Sequence, residues 1–64
     1  MQLTVNGKLL EFSGRTIRDL LDLLDVQGRL AVEVNAVIVP KSEHMQFELS
    51  DGDVIEIVHA IGGG

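Results

Sequence analysis

The sequence predicts an α+β domain in which one helix covers one face of a mixed sheet of four to five strands. Three observations predict it. Several short segments alternate polar and apolar residues with a period of two, one segment carries apolar residues at helical spacing, and turn signals separate them. At 64 residues the chain allows one domain. A chain of that size buries only about 60% of the surface that its unfolded form exposes, so modest stability is expected.

Gln2-Leu3-Thr4-Val5-Asn6 alternates as a half-buried strand does. Asn6-Gly7 is the strongest short hairpin signal, because both residues tolerate the positive φ of a type I′ turn. Lys8-Leu9-Leu10-Glu11-Phe12 is the return strand, broken by Ser13-Gly14-Arg15. Thr16 is a good helix N-cap, and Asp19 three residues later approximates a capping box. Ile17, Leu20, Leu21 and Leu24 then fall on one face of a helix running from 17 to about 25 and stopped near Gly28. Core packing is the expected role of that stripe, since so small a two-layer domain has one helix to cover its sheet.

Leu30-Ala31-Val32-Glu33-Val34-Asn35 is a third strand, with Val32 and Val34 on one face and Glu33 on the other. Val37-Ile38-Val39 is a short fourth, ended by Pro40, which cannot donate to a sheet ladder. Residues 41–45 read as irregular or as a helical turn, and 46–49 as a brief extended piece with Phe47 and Leu49 directed inward. Asp51-Gly52-Asp53 is a tight turn that launches the last strand, 54 to about 59, where Ile55 and Ile57 alternate with Glu56. A hairpin, a crossover helix and a late strand fit the β-grasp arrangement, with the first and last strands parallel and adjacent. Residues 1–59 form the domain and residues 60–64 a flexible glycine-rich tail.

Composition narrows the function. Absence of cysteine removes a disulfide scaffold, a thiolate zinc site, a redox centre and a cysteine nucleophile, and it favours a cytoplasmic home. No secretory leader is expected from Met1-Gln2-Leu3-Thr4, and no apolar stretch approaches the roughly 20 residues of a membrane span. Five Lys and Arg against ten Asp and Glu give a net charge of −5. Nucleic-acid binders carry a basic surface, so neither nucleic acid nor membrane is expected as a partner. An acidic field instead favours a partner with a basic docking face, although solubility alone also accounts for it.

Few groups are candidates for catalysis. The chain has no tyrosine and two histidines, His44 and His59, neither at metal-ligand spacing on a helix, so no metal site is expected. Asp51-Gly52-Asp53 resembles a fragment of a calcium loop but lacks the further ligands at regular spacing, and it reads as a turn. Glu33, Glu48, Asp53 and Glu56 alternate outward along strands, where no desolvated acid–base pair is expected. His59 near the tail reads as an exposed strand residue. Lys8 and Lys41 have no feature of an activated amine, and the spacing of the glycines matches no phosphate-cradling loop.

The end of the chain remains. The last strand runs through Val58, Ala60 and Ile61 into Gly62, Gly63 and Gly64. Glycines are costly to order but slender, so they pass where a side chain would jam. Extended at ~3.3–3.6 Å per residue, residues 60–64 reach roughly 17 Å beyond the domain. Ordering them costs about 1–2 kcal/mol per residue, which a partner must offset, for example by β-pairing and by burying Ile61. A frayed terminus is the ordinary reading of such an ending; the apolar approach through Val58, Ala60 and Ile61 argues against it.

The segment from Asp51 through Gly64 resembles the C-terminus of the ubiquitin-like sulfur carrier family of thiamine biosynthesis. The likeness extends through Val5-Asn6-Gly7, the helix from Thr16 to Leu24, and Ala31-Val32-Glu33-Val34-Asn35 with Ile38-Val39-Pro40. It implies a β-grasp carrier that is not itself an enzyme. In that family an ATP-dependent adenylyltransferase activates the terminal carboxylate, and a sulfur donor such as a cysteine desulfurase supplies the atom. The resulting thiocarboxylate delivers sulfur to thiazole synthase. The resemblance puts that carrier site at Gly64, with Gly62 and Gly63 entering the partner's channel and Val58, Ala60 and Ile61 on a docking face. ATP serves the activating enzyme, and no cofactor is expected on the carrier. The small subunit of molybdopterin synthase, a ubiquitin-like conjugating modifier and a plain β-grasp binding module with an inert tail remain as alternatives.

Overall fold

The computed structural model describes residues 1–59. Its elements are β1 (Gln2–Val5), β2 (Lys8–Glu11), α1 (Ile17–Leu24), β3 (Leu30–Val34), β4 (Val37–Val39), a 3₁₀ turn (Lys41–Glu43) and β5 (Val54–His59). The strands form one sheet in the order β2-β1-β5-β3-β4. β5 runs parallel to β1 and antiparallel to β3, as a β-grasp requires. The last strand of the sequence therefore lies at the centre of the sheet.

Local chemistry accounts for most of these elements. Asn6 (φ 49°) and Gly7 (φ 83°) form the hairpin turn between β1 and β2 with both residues left-handed. The helix opens on a full capping box: Thr16 Oγ1 accepts the Asp19 N–H at 3.2 Å, and the Asp19 carboxylate accepts the Thr16 N–H at 3.1 Å. That carboxylate also accepts the Arg15 N–H at 2.9 Å. These backbone donors, first Arg15 and then Thr16, hold the Asp19 carboxyl below the ordinary carboxylate range. Ile17, Leu20 and Leu21 are buried against Leu3, Val32 and Ile55 of the sheet, with Leu24 half-buried, so the stripe is core.

The helix stops earlier than Gly28. Asp25 takes the left-handed conformation (φ 55°), its N–H reaches Asp22 O, and the Val26 N–H reaches Leu21 O at 3.1 Å. This is a Schellman ending built without glycine. Val26 turns back onto the core and closes it beneath the last helical turn.

A second two-residue turn, Asn35 (φ 51°) and Ala36 (φ 70°), joins β3 to β4. Alanine is strained there, and the turn is held from outside. The Asn35 N–H donates to Val54 O at 2.7 Å, its Oδ1 accepts the Val54 N–H at 3.0 Å, and its Nδ2 donates to Asp53 Oδ1 at 3.0 Å. Asn6 does the like at the other end of β5, where its Oδ1 accepts the Ile57 N–H at 2.8 Å. Two asparagines at the first position of two turns thus clamp the same strand.

Of residues 46–49, expected to be extended, Gln46 still belongs to a turn and only Glu48 bridges, to Thr16, with Leu49 buried and Phe47 half-buried. They pair with the start of the helix rather than with the sheet: Ile17 N donates to Phe47 O and Leu49 N to Arg15 O. His44 is buried at 4% exposure, with Nε2 3.0 Å from Val39 O, so the ring donates from that nitrogen. Gly14 leaves no room for a side chain, since a Cβ there would stand 2.5 Å from the Phe12 ring. Among the described residues no helix is long and apolar enough to cross a membrane.

Three outcomes are expected. Ala36→Gly should raise stability by up to about 1 kcal/mol, because relief of the left-handed strain exceeds glycine's entropic cost; urea unfolding checks it. Asn6→Gly keeps the turn but deletes the clamp, and should cost about 1–2 kcal/mol while the Ile57 amide, unlike that of Ile55, exchanges faster. Asp19→Asn should lower stability at neutral pH by an amount that shrinks with acidification. A carboxyl with a depressed folded pKa stabilises fully above its unfolded value, near 3.8, and loses that contribution as pH falls through the lower folded value. Denaturation of both proteins from pH 7 to pH 2 measures the closing gap.

Candidate functional site

β5 carries the chain from the Asp51-Gly52-Asp53 turn across the centre of the sheet to His59. Ile55 and Ile57 point to the helix side and are buried; Val54, Glu56 and Val58 point to the uncovered face. Val58, expected on a docking face, is 58% exposed there. Ala60, Ile61, Gly62, Gly63 and Gly64 lie outside the described residues.

The uncovered face holds more apolar surface than Val58 alone. Leu9, Ile38 and Val54 are also exposed upon it, from β2, β4 and β5. The registers Thr4↔Leu9, Thr4↔Val54, Glu33↔Ile38 and Ala31↔Val58 set these residues on one side of the sheet. At its middle Glu33 stands opposite Glu56 across β3 and β5. Like charges directly opposite oppose sheet formation, and the face as a whole is acidic and apolar together. Alternation with Ile55 and Ile57 sets Val54 and Val58 outward, but Leu9 and Ile38 lie in unbroken apolar runs, and neighbours across strands depend on a strand order that periodicity does not contain.

On the helix side, beside the end of β5, lies a groove of 670 Å³ bordered by the β1–β2 turn and the end of the helix. Val5, Lys8, Leu10, Leu24, Val26 and Ile57 line it. Pairing of β5 on its two sides is unequal here. Toward β3 it runs to Leu30↔His59, whereas toward β1 it ends at Val5↔Ile55, with the Asn6 amide reaching one step further.

Among the described residues no group of three His, Asp or Glu side chains could hold a metal ion. Their ion pairs, Arg15–Glu48 at 3.3 Å, Arg18–Asp22 at 2.6 Å and the Met1 amine with Glu11 at 3.4 Å, tie together exposed parts of the scaffold. His59 is exposed, as expected, and the buried histidine, His44, is engaged by a backbone carbonyl. No described nucleophile is paired with a base. What the arrangement can do is present a chain end: a strand fixed in the middle of a sheet, an apolar acidic face on one side and a groove on the other.

Known proteins agree with that geometry. A 66-residue region of a Thiazole synthase from Paramagnetospirillum magneticum is 48% identical and spans all of this chain, which corresponds to 20% of that protein's length. A Sulfur carrier protein ThiS from Bacillus subtilis is 42% identical, over 97% of this chain and 98% of its own. A crystal structure of the thiamine biosynthesis protein ThiS from Geobacter metallireducens superposes with a TM-score of 0.85 at 32% identity, covering both chains completely. The ThiS family model matches residues 3–64, and the chain belongs to the ThiS family.

Proposed function

We propose that this protein is a sulfur carrier for thiazole formation in thiamine biosynthesis, working through the carboxylate of Gly64. One observation carries the reading: a glycine tail follows without a spacer from the central strand of a β-grasp domain, in a chain that the ThiS family spans through Gly64. A terminal carboxylate with a pKa of about 3.3–3.7 is ionised and a poor electrophile. Attack of its oxygen on the α-phosphorus of ATP gives an acyl adenylate and releases pyrophosphate. Sulfide displaces AMP and leaves a thiocarboxylate directly, whereas a persulfide displaces AMP to give an acyl disulfide, which a second thiol cleaves to the thiocarboxylate with formation of a disulfide. That sulfur is a nucleophile at the end of a tether, ready for thiazole synthase.

The partners are an adenylyltransferase, a sulfur donor such as a cysteine desulfurase, and thiazole synthase. The Paramagnetospirillum magneticum protein supports the last of these, since one polypeptide named for thiazole synthase holds a region like this chain. The carrier acts as a protein co-substrate rather than as an enzyme, with no cofactor of its own, and meets ATP in the cytoplasm. Gly62 and Gly63 let the end of the chain pass a narrow channel, and Val58, Ala60 and Ile61 form part of the docking face.

Deletion of Gly64 should leave the folded domain intact and abolish ATP–pyrophosphate exchange by the adenylyltransferase of the same organism. The full chain should support that exchange. Undiminished exchange with the shortened chain would overturn the reading.

A further inference from the structure

We propose that the edge of β5 facing β1, from Ile57 to His59, receives an extended segment of a partner protein as an added strand. The inference rests on the carrier reading above and names how the domain is gripped next to its tail.

The N–H and C=O of one strand residue point to the same side, and alternate residues share that side. The Ile57 N–H faces β1, where the Asn6 amide accepts it, and the Ile55 carbonyl faces β1 too, accepting the Asn6 N–H at 2.9 Å. The Ile57 carbonyl and both backbone groups of His59 therefore face the same way. They do so past the point where β1 has turned into its hairpin. Among the described residues no hydrogen bond reaches them from that side. On the other side β3 fills the ladder as far as His59, so strand addition at these residues has one direction open.

An unpaired row at a sheet edge is a template for another chain. Main-chain bonds supply affinity there, and pockets for alternate side chains supply specificity. The groove lies on this same side of β5, and of its nine lining residues six are apolar, the others being Asn6, Lys8 and His59. The fitting occupant is thus a strand of a partner protein with apolar side chains turned toward the helix and an acidic one opposite Lys8. Residues 60–64 follow His59 directly, so a strand seated here lies where the tail enters the partner.

Amide exchange of the ¹⁵N-labelled full chain tests this, alone and with the unlabelled adenylyltransferase or thiazole synthase of the same organism. The His59 amide should exchange rapidly in the free protein and at least tenfold more slowly in one of the complexes, with Ile57 protected throughout. His59→Pro removes the donor at an edge that tolerates proline, and should weaken binding at least tenfold relative to His59→Ala, which keeps it. Unchanged His59 exchange in a complex that forms, or equal affinities for the two variants, would overturn the inference and leave the carrier reading standing. Protection already present in the free protein would also overturn it, the edge then being taken by a second copy or by residues 60–64. Binding to neither enzyme would overturn both.

Discussion

The hydrogen bonds from two asparagine amides to one strand hold the rest of this structure in place. Asn35 accepts the N–H of Val54 where β5 begins, and Asn6 accepts the N–H of Ile57 near where it ends. Each residue also supplies the left-handed conformation of a tight turn, so each turn and the central strand are fixed by the same side chain. Backbone groups left unpaired in a sheet interior cost free energy comparable to a lost hydrogen bond. The clamps remove that cost where β1 and β3 give way to turns. With β5 fixed, Ile55 and Ile57 face the helix stripe of Ile17, Leu20 and Leu21, and the single core follows.

Much of this was legible in the sequence because the signals were local. Asn6-Gly7 announced its turn, Thr16 and Asp19 their cap, and the spacing of Ile17, Leu20, Leu21 and Leu24 the buried face. Burial of Val32, Val34, Ile55 and Ile57 followed from alternation. The failures were of a different kind. The helix ends near 25 as expected, but on a left-handed Asp25 with Val26 packed on the core, a tertiary stop that local signals assigned to Gly28. Ala36 sits at positive φ against its own preference because Asn35 is anchored to β5 from a distant part of the chain. His44 is buried through a bond to a carbonyl five residues before it, and a lone polar residue in a loop gives no hint of that.

The site was legible in the same unequal way. Exposure of Val58 followed from the alternation of β5. The surrounding face did not, since Leu9, Ile38 and Val54 become neighbours of Val58 only once β5 is inserted between β1 and β3. The opposed Glu33 and Glu56 have the same origin.

The physical division of labour is simple. The domain supplies a folded body, an exposed apolar and acidic face, and a sequence that ends in glycines. On the proposed reading, activation and sulfur come from partner enzymes. Intact-mass spectrometry of the protein isolated from its native host, with fragmentation to locate any change, tests this most directly. A mass increase equal to the exchange of one oxygen for sulfur, confined to Gly64, is the predicted result. A tail that stays unmodified while thiazole is being made, or that is found joined to lysines of other proteins, would contradict it.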